Sequence, residues 1–454
     1  MNTFPVPSGD KAALFYGWVI VLAAALIYAV ALWPTICFGV FVKPLAQQFG
    51  WLRSEVTGAF GLFMMIVGAM SIVAGFAVDR FGPRVTSLAG GLLLGLGLFF
   101  AAKVENLRQF YLAYSIMGGL GVAFLIVPLM ATIPRWFVQR RGLALGIVFS
   151  AGGLGGMILS PLTQHWITAY GWREAFEIAG LGAACVILTM GLLMKKDPAE
   201  MGLRAFGEET TPSREQGVGA TSVHTAHVAT SDARNHTVRQ ALGSPAFWIY
   251  NLSVILMFCG IMMAQIHMVP YATDVGIAES VAALALGVAA ASNALGRLVM
   301  GAVSDRIGTR RALIYSMLLA SLALFILPAI SHAWMLYLFA VMFGFAYGGV
   351  IPQNPRIIGG LFGTRFLGGI MGIAAVFTVL GPALGPLLGA FVYDRLGSYQ
   401  IAFLVGGTLV LLAIGLVLLI PAQILLFSRT LTAELAAASA NRGAPPADFA
   451  VNEG

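Results

Sequence analysis

The sequence predicts an all-α polytopic membrane protein, a bundle of twelve transmembrane helices in two pseudo-symmetric six-helix halves with both termini cytoplasmic. Three observations carry that reading. Of the 454 residues, 59% are hydrophobic and only 10% charged, with a mean hydropathy of +0.88, far outside the range of a soluble globular chain. Apolar runs of about 20 residues recur with short polar gaps; a bilayer admits only helices or closed barrels, and strand alternation is absent. Finally, segments of the first half return in the second at a nearly constant offset: "GFAVDRFGPR" (75–84) matches "GAVSDRIGTRR" (301–311), placing Asp79 and Asp305 226 positions apart.

The spans fall at about 17–42, 55–78, 85–103, 107–134, 142–167 and 172–194 in the first half, and at about 246–272, 281–303, 311–330, 333–356, 366–391 and 399–427 in the second. The first run is too long for a signal-peptide core and lacks a small-residue cleavage site, so it is read as span 1. Residues 195–244, rich in Ser, Thr, Gly, Glu and Arg, read as a cytoplasmic linker between the halves 1–194 and 245–428. The tail 429–454 is small, polar and Pro-containing, the composition of a disordered cytoplasmic segment. Two further repeats support the duplication: "GLGGMILSPL" in span 5 echoes "GPALGPLLGA" in span 11, and "YGWREAF" before span 6 echoes "LGSYQIAF" before span 12.

Net charge is +7, which would suit nucleic acid if the cations were clustered, but their placement follows topology instead. With the N-terminus inside, nineteen of the 26 Lys and Arg fall on inner segments, and only Lys43, Arg53, Lys103, Arg108, Arg173 and Arg395 on outer ones. The remaining one, Arg297, lies inside span 8. Cys37, Cys185 and Cys259 sit singly in apolar spans and read as small core residues. His224, His227 and His236 in the linker lack the Cys or acidic companions of a zinc site, so no metal or cofactor is expected. No nucleophile–base pair or phosphate loop is present, which argues against an enzyme.

In the repeated G-x-x-x-D-R-x-G-x-R motif, an aspartate ends a helix and arginines occupy a turn that Gly82 or Gly308 makes possible. An Asp–Arg network there, formed by Asp79, Arg80 and Arg84 in one half and Asp305, Arg306 and Arg310 in the other, would serve as a latch holding one access state. Inner-surface arginines with an aspartate cap explain the cations but not the repeated Asp and Gly spacing.

The repeated loop motif, the twelve spans and the Gly/Pro runs of spans 5 and 11 together resemble the major facilitator superfamily over everything except linker and tail. Within it, "FYGWVIV" at the start of span 1 and "RWFVQRRGLALGIVFSAGGLGG" (135–156) are similar to the two signatures of the monocarboxylate transporters and their bacterial oxalate/formate relatives. Gly142, Gly146, Gly152, Gly153 and Gly156 in the second stretch are read as packing positions.

An ionisable residue at membrane depth is a functional hypothesis by default. Arg297 and Asn293 are four apart, hence on one face of span 8, with Gly296 and Gly301 leaving space around the guanidinium. The planar fork of arginine suits a carboxylate in a way lysine cannot. The resemblance implies the same role, since monocarboxylate transporters have a substrate-binding arginine in this span and an acidic, proton-linked residue one turn earlier, where Asn293 stands. Snorkelling or pairing with Asp305 would also hold Arg297, but Asp305 belongs to the latch. Tyr347 in span 10, Trp136 at the signature's aromatic position and Leu162 in span 5 are candidates for the rest of the site, and packing alone would equally explain them. His267 is either an interfacial polar residue or a proton relay. Asp274 and Glu279 read as loop residues.

The expected function is secondary transport of small monocarboxylates, lactate or pyruvate in type, coupled to protons, in the inner membrane and as a monomer, with no nucleic-acid partner. An oxalate/formate-type exchanger is disfavoured because span 11 lacks the lysine those relatives carry, and a drug/proton exporter because the spans offer no buried acid. A transport-dead sensor would not keep both latch copies. Two departures put the relatives' proton path in doubt: Pro34 is followed by Thr35 rather than lysine, and Asn293 replaces the acid.

Overall fold

A computed structural model describes residues 16–137, 140–203, 205–206, 236–363 and 366–420. Lys11, Arg204, Arg214, Arg234, Arg365, Arg429 and Arg442, the histidines His224 and His227, most of the linker and the tail lie outside the described residues. Among the described residues there are no strands, and eleven helices are long and apolar enough to cross a membrane.

The longest, Arg53–Ala102, runs for 50 residues, about 75 Å at 1.5 Å per residue and more than twice the bilayer core. It breaks at Gly82, whose φ of 79° and ψ of 166° no helix contains, followed by Pro83. The left-handed region admits glycine without the Cβ penalty, so this one helix is two crossings and the expected twelve are recovered. Gly308 makes the equivalent turn with φ 91°. In chain order the crossings are α1 (Tyr16–Phe49), α2 (53–81), α3 (83–102), α4 (Leu107–Trp136), α5 (Gly142–Tyr170), α6 (Trp172–Leu193), α7 (Pro245–Asp274), α8 (Glu279–Ile307), α9 (Thr309–Ala329), α10 (Ala333–Phe362), α11 (Gly369–Leu396) and α12 (Gln400–Leu419). Helix α1 is broken at Leu32 and Cys37 around Pro34.

Two hydrophobic cores form. One gathers α1 to α6 and takes in Ile266 from α7; the other gathers α7 to α12 and takes in Val40 from α1. The exchanged residues mark the α1–α7 crossing, where a Cβ on Gly39 would sit 2.5 Å from the Ile266 carbonyl oxygen. The linker is fastened to both cores at equivalent places: the Phe206 amide donates to the Trp136 carbonyl, and the His236 amide to the Phe362 carbonyl, each at 2.9 Å. Trp136 and Phe362 end α4 and α10 and are again 226 positions apart.

The two cores meet along two seams, α5 on α8 and α2 on α11. Backbones approach through glycine, because only a missing side chain allows such contact. A Cβ on Gly153 would lie 2.6 Å from the Ala290 oxygen, one on Gly287 2.8 Å from the Met157 oxygen, and one on Gly61 2.8 Å from the Ala383 oxygen. Both seams stop partway. Towards the end of the molecule bearing Asp79 and Asp305, hereafter the latch end, Gly142 and Gly146 on α5, Gly75 on α2, Gly301 on α8 and Gly372 on α11 have open space where a Cβ would point. The expectation that every glycine of the α5 signature packs is therefore corrected: Gly152, Gly153 and Gly156 do, Gly142 and Gly146 do not. The halves are closed at the opposite end and parted at the latch end.

Candidate functional site

Arg297 sits where the α5–α8 seam opens. Its Nε donates to Asn293 Oδ1 at 2.9 Å, and Nη1 donates to the Phe149 carbonyl oxygen of α5 at 3.2 Å. A guanidinium has five N–H donors, so among the described residues three are without a protein partner. With Oδ1 accepting from Arg297, the Asn293 amide nitrogen is buried and also unpartnered. The helical spacing of four brings these two side chains together as expected. The role assigned to Gly296 is corrected, however: its Cβ would meet the Phe345 oxygen of α10 at 2.2 Å, so it serves helix packing rather than space around the guanidinium. Gly344 and Gly348 do the same for α10 against α8 at Ala289 and Asn293.

Close packing of α10 on α8 brings Tyr347 within electrostatic reach of Arg297 and of Tyr28 from α1. Tyr28 in turn meets the Phe149 ring edge-on at 5.6 Å. Neither tyrosine hydroxyl is hydrogen-bonded among the described residues. Tyr28, Phe149, Asn293, Arg297 and Tyr347 therefore make a cluster drawn from α1, α5, α8 and α10, with the apolar side chains of Met130, Ile133, Leu145 and Val148 packed beside it. Such a mix of apolar wall and few polar groups suits a small organic anion. Tyr28 was not among the candidates; a phenol in the middle of the apolar run Val19–Ala31 was the sequence signal for it.

Two candidates fall elsewhere. Trp136 is fully buried at the latch end of α4, with its indole N–H on the Lys195 carbonyl at 3.1 Å and its ring 5.7 Å from that of Tyr16. Leu162 is on the exposed face of α5, next to the buried polar residues Ser160, Thr163 and Gln164.

The latch acids are paired, but to different arginines than the motif suggested. Asp79 accepts from Arg135 of α4 at 3.1 Å, and Arg135 lies 3.7 Å from Asp197; Asp305 accepts from Arg356 of α10 at 2.9 Å. Arg310 donates to the Val417 and Leu418 carbonyls, capping α12. Among the described residues Arg80, Arg84 and Arg306 form no ion pair with Asp79 or Asp305, and Arg80 lies over the Phe81 ring. Each acid is thus tied within its own half, and its side chain is about two-thirds exposed (68% and 69%).

The opposite end is the reverse case. Arg53 at the start of α2 donates to both Asp274 oxygens, at 2.6 and 3.0 Å, and to the Tyr399 hydroxyl at 3.0 Å. Its guanidinium lies 3.8 Å from the centre of the Tyr393 ring. Lys43 joins Asp274 at 3.2 Å. Asp394 accepts from the backbone amides of Arg53 and Ser54, capping α2 from the other half. Gln164 donates to Glu279 at 2.9 Å on the α5–α8 seam. Asp274 and Glu279, read as loop residues, instead end α7 and begin α8 and join the halves. A sequence signal did exist: "DRLG" at 394–397 is a third D-R-x-G, placed at the opposite end. His267 lies beneath this network, fully buried, with Nε2 2.7 Å from the Pro386 carbonyl oxygen and its ring stacked on Tyr399 at 4.7 Å.

Comparison with known proteins accords with this arrangement. The family model of the Major Facilitator Superfamily matches residues 24–271 and 252–424. Human monocarboxylate transporter 11 is 28% identical over 417 residues, spanning 90% of this chain and 83% of that protein, and human monocarboxylate transporter 2 is 25% identical over 421 residues, spanning 90% and 85%. Among solved structures, a bacterial homolog of the human lysosomal transporter Spinster in an inward-facing, unoccupied conformation covers 93% of this chain and 98% of that one, with a TM-score of 0.65 at 17% identity. The occupied form of that homolog gives 0.69 at 16% identity. The family model runs through both halves and both seams, and the chain belongs to the Major Facilitator Superfamily, as a multi-pass membrane transporter and not an enzyme.

Proposed function

We propose that the protein carries small monocarboxylates, lactate or pyruvate in type, across the inner membrane together with protons, by alternating access and as a monomer. The latch end is the cytoplasmic one, following the basic residues. The observation that carries the reading is Arg297 at the vertex of the parted seam, with three N–H donors unpartnered beside the unpartnered Asn293 amide nitrogen. A carboxylate entering from the latch end accepts the free Nη donors, and a hydroxyl or keto oxygen on the next carbon reaches the Asn293 amide or the Tyr28 and Tyr347 hydroxyls. Its alkyl end faces the apolar side chains beside the cluster. Binding neutralises Arg297, the cation that otherwise opposes burial, so the loaded site can be enclosed as the halves rock. The relatives named monocarboxylate transporters support the substrate class. A single cation in the site favours a monoanion over the dianion of an oxalate-type exchanger.

Uptake of labelled L-lactate into proteoliposomes under an inward proton gradient tests this. Wild type should accumulate lactate, and Arg297→Lys should lose about tenfold or more of the rate, since one two-donor contact is worth at least about 1.4 kcal/mol. Absence of uptake of any monocarboxylate by wild type would sink the proposal; normal transport by Arg297→Lys would remove the bidentate role.

A further inference from the structure

The geometry points to His267 as a proton-operated release for the gate at the opposite end: protonation of its ring breaks the closure that Arg53 makes with Asp274. This extends the proton coupling proposed above by assigning it a residue and a moving part.

The closed gate fixes the protonation state it tolerates. His267 Nε2 faces the Pro386 carbonyl oxygen at 2.7 Å, and a carbonyl only accepts, so Nε2 carries the hydrogen. Nδ1 is buried with no partner. In the neutral ring Nδ1 is a bare lone pair. In the imidazolium it becomes an N–H buried without an acceptor, and the ring carries a full charge. That charge would face another. Tyr399 stacks on the imidazole at 4.7 Å, donor Arg53 bonds the Tyr399 hydroxyl, and the Arg53 guanidinium carbon lies 5.3 Å from the centre of the same ring. Space to adjust is lacking, because a Cβ on Gly389 of α11 would lie 2.8 Å from the imidazole.

The charged groups around the ring come from four elements. Arg53 from α2 carries the positive charge bonded to Tyr399, Asp394 from α11 and Asp274, at the end of α7 itself, carry the negative ones, and Lys43 from α1 is spent on Asp274. Tyr393 of α11 stacks on Tyr399 and adds no charge. Both acids are already committed to the gate, Asp274 to Arg53 and Asp394 to the amides of Arg53 and Ser54. An imidazolium can gain an acid only by taking it from the closure. Closure therefore favours the neutral ring, and by linkage the opened gate binds the proton more tightly. A proton taken from the opposite face opens the gate towards the side it came from, and reclosure expels it.

Double electron–electron resonance between spin labels at Glu105→Cys and Ser331→Cys reads the gate directly. Both positions are exposed at the opposite end, in different halves, and Cys37, Cys185 and Cys259 are replaced by alanine. In lipid without substrate, acidification from about pH 8 to about pH 5.5, a window that brackets histidine, should shift wild type to longer distances, and His267→Gln should stay short at both values. An unchanged wild-type distance overturns the inference. So does an equal lengthening in His267→Gln, which would assign the response to Asp274 or Asp394. If His267→Gln is not monodisperse, His267→Asn replaces it, and the wild-type pair of distances still decides. The measurement needs no substrate: failed lactate uptake with an intact pH response removes the substrate class alone, and intact uptake without the response removes the switch alone.

Discussion

Asn293 holds the Arg297 guanidinium with its carbonyl and keeps a buried amide N–H to spare. The contact is legible in the sequence from a spacing of four on one helix. Replacing Asn293 by leucine leaves the Arg297 Nε–H unsatisfied, at a cost of about 1–3 kcal/mol; the apparent KM for L-lactate should rise about tenfold with little loss of folded protein. Asn293→Asp makes a sharper case. An ionised aspartate there pairs with Arg297 and competes with the substrate, so uptake should fall at neutral pH and recover on acidification, as the carboxyl protonates; a flat pH profile in that variant would refute the competition. Trp136 and Leu162 teach the opposite lesson. An aromatic or aliphatic residue has no directional chemistry by which sequence could distinguish a packed site from a binding one, and both lie away from Arg297.

At the scale of helices, glycine divides into two populations that the sequence does not separate. Gly348 faces the Asn293 carbonyl oxygen at 2.0 Å from its would-be Cβ, whereas Gly146 faces nothing. Gly348→Val should force α10 off α8, lowering the detergent-solubilised melting temperature and abolishing uptake, since overpacking costs about 1–3 kcal/mol or more. Gly146→Leu should leave the melting temperature of the latch-end-open state unchanged and slow transport, because the added side chain obstructs closure of the α5–α8 seam there; equal melting losses in both variants would contradict the division. The turn glycines Gly82 and Gly308 were readable, because the motif spacing demands a tight turn and both adopt positive φ. The break at Gly82 is also what turns one 50-residue helix into two crossings.

Across the whole molecule, the charged contacts are distributed unequally. Those at the latch end stay within a half, whereas at the opposite end Arg53 and Lys43 join the halves through Asp274, beside a Lys103–Glu177 pair that stays within the first half. Arg53→Gln should weaken that closure by on the order of 1–3 kcal/mol, a shift of about five- to 150-fold between access states. Cysteines placed at the opposite end should then label faster with a membrane-impermeant maleimide and those at the latch end more slowly; unchanged labelling at both ends would deny the gate. Arg135→Gln, by contrast, removes two solvent-accessible pairs, to Asp79 and Asp197, and should change the melting temperature little.

Hydropathy, charge placement and the repeat at 226 positions by themselves determined a twelve-crossing, duplicated membrane bundle, because the bilayer punishes every unsatisfied backbone group and so leaves the chain few alternatives. They also singled out Arg297, because a charge at membrane depth is costly enough to demand a reason. Which partner each remaining charge takes was decided only by the tertiary structure. Asp79 with Arg135 and His267 under Tyr399 are neighbours through helix packing within a half, and Arg53 with Asp274 through the packing of one half on the other, and contacts between residues so distant in the chain leave no periodicity in it.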